Sequence, residues 1–344
     1  MKKLNNKALI IFLWGLIFFS CWENQKHNVT APDTPVYALS GKIISSLTNE
    51  PIPYVNVRLS GSVKYNKDDK MTNFNLEDVT DENGVFTFND VPGGFEYVLY
   101  SEKEGYSNNE KKIVTYYSDR DIGEVVLEKL IILLDKACFQ GRKINGIAYK
   151  AGIILIADTL NKKMVELSED LSFQRAVNFN LYKPSGLAYD GEWFWTSDSF
   201  EAIVFNFQYD EMGRVIYQES YPAPKNFYNP DDVVDLLDIS WFNSEIWACT
   251  EQITTKYFRL NLDEAGTAEY FDSPVYHPSG IYVDSSKVYI ASMYGGKSKL
   301  YVIDKETAIT AGYYVFSGNA GFITSDGNYL WVANEDSVKK YLFN

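Results

Sequence analysis

From Val36 onward the chain is written in short apolar runs separated by polar punctuation. In some runs apolar and polar residues alternate, as at Val55, Val57 and Leu59; in others, such as Leu130–Leu134, the apolar stretch is continuous. Alternation with period two places every second side chain on one face of a strand, and a short unbroken run is the other strand pattern. Gly, Pro, Asn and Asp cluster between the runs, as in Asp81-Glu82-Asn83-Gly84 and Pro92-Gly93-Gly94, where tight turns need positive φ or a side chain that caps its own backbone. No long stretch rich in Ala, Leu, Glu and Lys keeps a helical period, so the pattern predicts an all-β protein.

After residue 128 the pattern repeats itself. INGIAYKAGIILIADTLNKKMVEL, beginning at Ile144, is answered by PSGLAYDGEWFWTSDSFEAIVFNF, beginning at Pro184. Equivalent starts fall at Gly146, Gly186, Asp238, Gly280 and Gly321, at intervals of 40, 52, 42 and 41 residues. Second strands follow in each copy (IILIAD, WFWTSD, EIWACT, VYIAS, YLWVANE), and then third strands (KMVEL, AIVFNF, YFRLNL, KLYVID, KKYLF). A four-stranded unit of this length repeated around an axis is a β-propeller blade, each sheet covering its neighbours. The last copy stops after its third strand, so the missing strand must come from elsewhere. The run LIILLDKA at 130–137 precedes the first copy and is expected to complete the last blade, closing the ring without an open edge. The count is five blades. Six is the alternative, if the long interval between Gly186 and Asp238 hides extra strands.

Two resemblances sharpen this organisation. Gly41-Lys42-Ile43, Glu50-Pro51-Ile52-Pro53, Asp81-Glu82-Asn83-Gly84-Val85-Phe86, Val91-Pro92-Gly93-Gly94 and Lys103-Glu104-Gly105-Tyr106 occur in the order found in carboxypeptidase regulatory-like domains. Residues 36–128 therefore resemble that family, which implies a small transthyretin-like β-sandwich of the seven-stranded type with no catalysis of its own. The polar stretch KYNKDDKMTNFNLED departs from the compact family pattern and predicts a long hairpin or loop. Residues 129–344 resemble NHL-type repeats through Pro184-Ser185-Gly186, His277-Pro278-Ser279-Gly280, the second-strand Ala157-Asp158 and the following Asn161.

The N-terminus follows a different rule. MKKLNNK is basic, ALIIFLWGLIFF is a short apolar run, and Ser20-Cys21 precedes a polar stretch. This is the layout of an export signal, too short in its apolar part to span a bilayer. Cys21 resembles the cleavage site of bacterial lipoproteins, in which that cysteine becomes the lipidated first residue. The resemblance implies a signal peptide at 1–20, a flexible tether at 21–35, and a chain held to the bacterial cell envelope by a lipid anchor at Cys21. Whether that anchor sits in the outer membrane, and whether it faces the periplasm or the surface, is left open.

Charge narrows the partners. The formal net charge is −14, and it becomes −17 once Lys2, Lys3 and Lys7 leave with the signal. Such acidity argues against nucleic acid, whose phosphates require basic patches. Beyond Cys21 there are Cys138 and Cys249; their settings, DKACF and IWACT, predict two buried thiols, a disulfide being the alternative. No CxxC or Cys/His cluster supports a zinc site. No cofactor is expected, and a calcium ion in the propeller channel is left open.

In a propeller, the loops entering the first strands and those joining second to third strands share one face. That places Asp158 and Asn161 from the first copy, Asp198 from the second, Glu251 from the third, Tyr276, His277 and Tyr294 from the fourth, and Asn334 and Glu335 from the fifth on a candidate ligand surface. Lys183, Thr159, Thr250 and Ser292 accompany them. The extra length around YPAPKNFYNPDDVVDLL belongs to the same face, where Tyr221, Phe227 and Tyr228 with Asp231, Asp232 and Asp235 would suit a sugar or a cation. Each Asp or Asn after a strand equally suits a turn-closing role. Glu251 with Asp198 or Glu335 is a candidate acid–base pair, but no nucleophile–base order, phosphate loop or paired metal-ligating histidines exist. The expectation is a non-catalytic surface lipoprotein whose propeller face binds a glycan, peptide or protein. The alternatives are an extracytoplasmic glycoside hydrolase or lyase using carboxylates on that face, and a structural envelope component.

Overall fold

The structure, a computed structural model, describes residues 34–343 apart from 66–68, 180–182, 199, 211, 230, 251, 253, 254, 265 and 295. The signal segment, Cys21 and Glu251 lie outside the described residues, as does the side chain of Tyr294. Every described regular element is a strand.

Residues 36–127 form two sheets. Val36–Ser45 lies between Val85–Pro92 and Arg120–Leu127, and Asn56–Val63 and Glu96–Glu102 lie between Thr72–Val79 and Asn109–Val114. Leu39, Ile43, Phe86 and Phe88 from the first sheet and Val57, Leu59, Tyr97 and Leu99 from the second share one buried core. The polar insert forms the expected hairpin, its arms paired without a break from Asn56↔Val79 to Val63↔Thr72. Asp81 is a turn residue, since its Oδ1 accepts the N–H groups of Asn83 (2.9 Å) and Val85 (2.8 Å). Gly84 completes that turn at φ +72°, where a Cβ would stand 2.6 Å from the carbonyl oxygen of Ile43.

Beyond residue 128, five sheets follow one another along the chain. Sheet 1 comprises Ile144–Lys150, Ile153–Asp158, Lys163–Ser168 and Phe173–Asn178; sheet 2, Pro184–Tyr189, Phe194–Asp198, Ile203–Tyr209 and Val215–Pro222. Sheet 3 comprises Asp238–Phe242, Glu245–Cys249, Lys256–Asn261 and Thr267–Asp272; sheet 4, Pro278–Val283, Lys287–Tyr294, Lys297–Asp304 and Thr310–Phe316. Sheet 5 has Phe322–Ser325, Tyr329–Asn334 and Ser337–Leu342, and takes its outer strand from Ile132–Cys138.

The first strands pack in a closed circuit, each against the next and the fifth against the first. A separate apolar core fills each gap. Phe179, Leu187 and Phe207 lie between sheets 1 and 2, and Trp195, Ile246 and Phe258 between sheets 2 and 3. Trp247, Ile281 and Ile290 lie between sheets 3 and 4, Ala291, Leu330 and Tyr341 between 4 and 5, and Trp331, Ile147 and Ile154 between 5 and 1. Because each sheet buries both faces only through its neighbours, the ring is a β-propeller in the physical sense. Small residues let the first strands approach at the axis. A Cβ on Gly146 would sit 2.7 Å from the main chain of Gly186, and one on Gly280 would sit 2.2 Å from the Gly321 carbonyl oxygen.

The segment before the first repeat serves two sheets. Lys129–Leu130 runs parallel to the outer strand of sheet 4, through Tyr314↔Lys129 and Val315↔Leu130. Ile132–Cys138 then runs antiparallel to the C-terminal strand, from Leu342↔Ile132 to Ser337↔Cys138. The interval after sheet 2 adds one isolated bridge, Lys225↔Val233, and no further sheet among the described residues.

The cysteines correct one expectation. Cys249 is buried in the core between sheets 3 and 4, but Cys138 is exposed on the outermost strand of sheet 5, and no disulfide joins them. The apolar context of Cys138 reflects its neighbours in sequence, Ala137 and Phe139, which pack inward while the thiol points the other way.

Candidate functional site

The strand order puts two groups of loops on one side of the ring, called here the entry face: those leading into each first strand and those joining second to third strands. The turns joining first to second and third to fourth strands form the opposite face.

Several predicted ligand residues are already engaged. Asp158 is 1% exposed. Its Oδ2 accepts from Arg142 Nη1 (2.8 Å) and Asn161 Nδ2 (2.8 Å), and its Oδ1 from the N–H groups of Asn161 (3.1 Å) and Lys143 (3.3 Å). Asn161 also donates to the Gly141 carbonyl (2.9 Å). Asp198 is equally buried and accepts from the N–H groups of Phe200 (2.9 Å) and Lys183 (3.3 Å). These three residues shape their own loops, the turn-closing role available to any Asp or Asn after a strand. Asp198 is therefore not presented as an acid or base to a ligand.

The fourth copy contributes Tyr276, which is exposed, and His277, which is exposed at φ +59°. The His277 carbonyl accepts from Ser292 Oγ (3.1 Å), so the loop is held by its backbone and the imidazole is left at the surface. In the fifth copy Asn334 is half-buried and Glu335 exposed, and the Glu335 carbonyl accepts the Ile144 N–H (2.9 Å), tying sheet 5 to sheet 1. Tyr221 does not join Phe227 and Tyr228 on the entry face. Its ring stacks on Trp195 (6.0 Å, 30°) between sheets 2 and 3, and its hydroxyl donates to Glu219 (2.5 Å).

What the entry face does assemble is a mouth of about 490 Å³ at the axis, lined by Lys143, Lys183, Asp235, Thr250, Gln252 and Glu335. Of the candidate ligand residues whose side chains are described, Glu335 is the one that lines it. Lys183 approaches Asp235 at 3.9 Å. Thr250 Oγ1 donates to the Asp235 carbonyl (2.5 Å), and Gln252 Oε1 accepts the Asp235 N–H (3.0 Å), which holds this part of the rim in place. Asp235 was among the acidic residues singled out from the sequence, whereas Lys143 was not, though a signal existed. Lys143, Lys183 and Asp235 each stand three residues before the axial position of their copy, and all three line the mouth; His277 shares that register but does not line it.

The far end of the axis opens into a smaller hollow of about 220 Å³, lined by Tyr149, Tyr189, Trp241, Tyr282, Asp284 and Thr324. Asp238 occupies the axial position at which the other four copies carry glycine, and it is fully buried. Burial pushes its carboxyl well above the usual carboxylate range, against the opposite pull of the N–H donors of Ile281 and Ile323. No group of three or more His, Cys, Asp or Glu side chains converges in metal-binding geometry among the described residues.

No family model and no curated protein matches the chain. Among solved structures it is similar to a glutaminyl cyclase from Myxococcus xanthus, with 12% identity and a TM-score of 0.48 over 62% of this chain and 98% of that one. It is similar also to a catalytically inactive virginiamycin B lyase from Staphylococcus aureus with quinupristin, with 15% identity and a TM-score of 0.36 over 92% and 98%. A third is the PQQ-bound aldose sugar dehydrogenase from Streptomyces coelicolor, with 12% identity and a TM-score of 0.41 over 62% and 97%. These neighbours are propeller proteins, and the activities in their names are their own.

Proposed function

We propose that the chain is an envelope lipoprotein, anchored through Cys21, in which a two-sheet sandwich at 36–128 carries a five-bladed propeller at 129–344 that binds a ligand at its entry mouth without chemical turnover. Each of the five sheets counts as one blade, with Ile132–Cys138 as the closing strand. The observation that carries the binding role is the composition of the mouth. Lys143, Lys183, Asp235 and Glu335 line it together with Thr250 and Gln252, and Lys183 approaches Asp235. A concave site with a few convergent polar groups of both charges fits a ligand that also carries both, such as the end of a peptide, better than a neutral glycan. Glycoside hydrolysis is less well supported, because Asp198, one member of the candidate carboxylate pairs, is buried in its own loop.

The test is a peptide and glycan binding screen on the mature chain, residues 21–344 with Cys21→Ser in place of the lipidated cysteine, repeated with Lys183→Ala and Glu335→Ala. Peptide binding weakened about tenfold or more by either change supports the reading, the loss expected when a charge-assisted contact is removed. Binding that ignores both changes, or turnover of a bound glycan, overturns it.

A further inference from the structure

A second hollow lies on the opposite face, between sheets 2 and 3, away from the entry mouth. It measures about 840 Å³. Its floor is an aromatic stack in which Trp195 lies between Trp241 (5.1 Å, 17°) and Tyr221 (6.0 Å, 30°). Trp195 is buried and spends its indole N–H on Asp190 Oδ2 (2.7 Å), whereas Trp241 and Tyr221 are half-buried and show ring surface to the groove.

The walls are acidic. Among the described residues, Glu219, Glu245, Asp263, Glu264 and Glu269 line the groove against a single cation, Arg259. Arg259 is already committed, pairing with both Glu245 and Glu269. The exposed Asp263 and Glu264 stand on a turn whose N–H groups are held by Asn261 Oδ1 (3.1 and 3.3 Å), so the turn keeps both carboxylates at the rim.

A third feature speaks to the shape of the occupant. Glu219 and Tyr221 lie on Val215–Pro222, the outermost strand of sheet 2, whose ladder bends at Phe205–Phe207 where Asn206 Oδ1 takes the Glu219 N–H (2.8 Å). The far edge of that strand pairs with no other named strand, so it presents main-chain donors and acceptors beside the groove.

We propose that this groove docks an extended basic segment of a partner protein, with lysine or arginine side chains laid over the Trp241 and Tyr221 rings and their charges among the carboxylates. Aromatic faces attract cations, and the excess of carboxylates is relieved only by a positively charged occupant. A hollow of this size takes a ligand of several residues, and the open strand edge suits a polypeptide backbone more than a polyamine.

The experiment is a titration of mature protein with a decalysine peptide, read by intrinsic tryptophan fluorescence at low and high salt. The expected result is a salt-sensitive change in tryptophan emission, with affinity weakened about tenfold in the combined Glu219→Gln, Asp263→Asn, Glu264→Gln variant, since each exposed charge contributes modestly. Circular dichroism of that variant checks that it folds, and the single substitutions Asp263→Asn and Glu264→Gln, both at exposed turn positions, provide the same reading if it does not. Lys183→Ala, which alters the entry mouth, is expected to leave decalysine affinity where it was, so that the two binding sites fail or succeed separately. The proposal is overturned if decalysine does not bind, if the acidic variants bind it unchanged, if spermidine matches the peptide at equal concentration, or if a neutral hexasaccharide produces the response and the peptide does not.

Discussion

Asp238, on the first strand of sheet 3, accepts the main-chain N–H of Ile281 on the first strand of sheet 4 through Oδ2 at 3.0 Å. The same oxygen accepts from Ile323 at 3.2 Å, while Oδ1 is buried without a partner. One side chain of sheet 3 thus staples the first strands of sheets 4 and 5, in the place where the other copies have a glycine.

Burial raises the carboxyl pKa of Asp238, so the folded state favours the neutral acid. Its contribution is fully present below the unfolded value of about 4 and is lost as pH rises toward the folded value. Asp238→Asn keeps an accepting oxygen and removes the charge. It is expected to match the parent at pH 4 and to be the more stable of the two at pH 8. Asp238→Ala removes the acceptor of two buried N–H groups and is expected to cost about 2–4 kcal/mol. Urea unfolding at both pH values checks each.

Gly280→Ala places a methyl group 2.2 Å from the Gly321 carbonyl oxygen. The inner strands would have to separate, and a loss of about 1–3 kcal/mol is expected, as for other overpacked sites. Gly141→Ala, at φ +71° with open space around it, carries only the left-handed strain of about 1 kcal/mol. Comparing the two melting curves separates axial crowding from backbone strain.

Removing residues 337–344 takes away the strand that joins Tyr329–Asn334 to Ile132–Cys138. The ring is expected to lose cooperative unfolding, because two sheet edges open at once. The core at residues 39–127 is separate from all five ring cores, so limited proteolysis should leave a resistant fragment containing it. Loss of that fragment along with the ring would contradict the separation of cores.

Gly312 touches the N-terminal sheets. A Cβ there would stand 2.0 Å from the Leu47 carbonyl oxygen, beside the Ser46 Oγ to Tyr313 carbonyl bond (3.0 Å) and the Lys297–Glu128 pair. Gly312→Val is expected to spread the two parts, seen as a larger radius of gyration in small-angle scattering, with the ring's own unfolding little changed.

In the mature chain carrying Cys21→Ser, one thiol, that of Cys138, should react promptly with a thiol reagent under native conditions. Cys249, with 0% exposure, should react only on unfolding. Two prompt equivalents would place Cys249 at the surface.

Much of the architecture was legible because it is periodic. Alternation marked the strands, the spacing of Gly146, Gly186, Asp238, Gly280 and Gly321 marked the sheets, and a last copy one strand short pointed to 130–137 as the closing segment. The division of that segment was not legible, since Lys129–Leu130 joins sheet 4 before Ile132 joins sheet 5, and nothing local distinguishes the two pairings.

The candidate site was less legible. Asp158, Asn161 and Asp198 carry the residue types that bind ligands and the same types that close turns, and the turns have them. Lys143 and Asp235 meet at the entry mouth although ninety-two positions separate them, and Trp195, Tyr221 and Trp241 meet in a groove from two different sheets. The sequence by itself determined the strands, their repeat and their polar ends, because these depend on neighbours a few residues away. Only the tertiary structure decided which of those ends face one another, because closing the ring brings distant loops together at a distance and angle that no local pattern encodes.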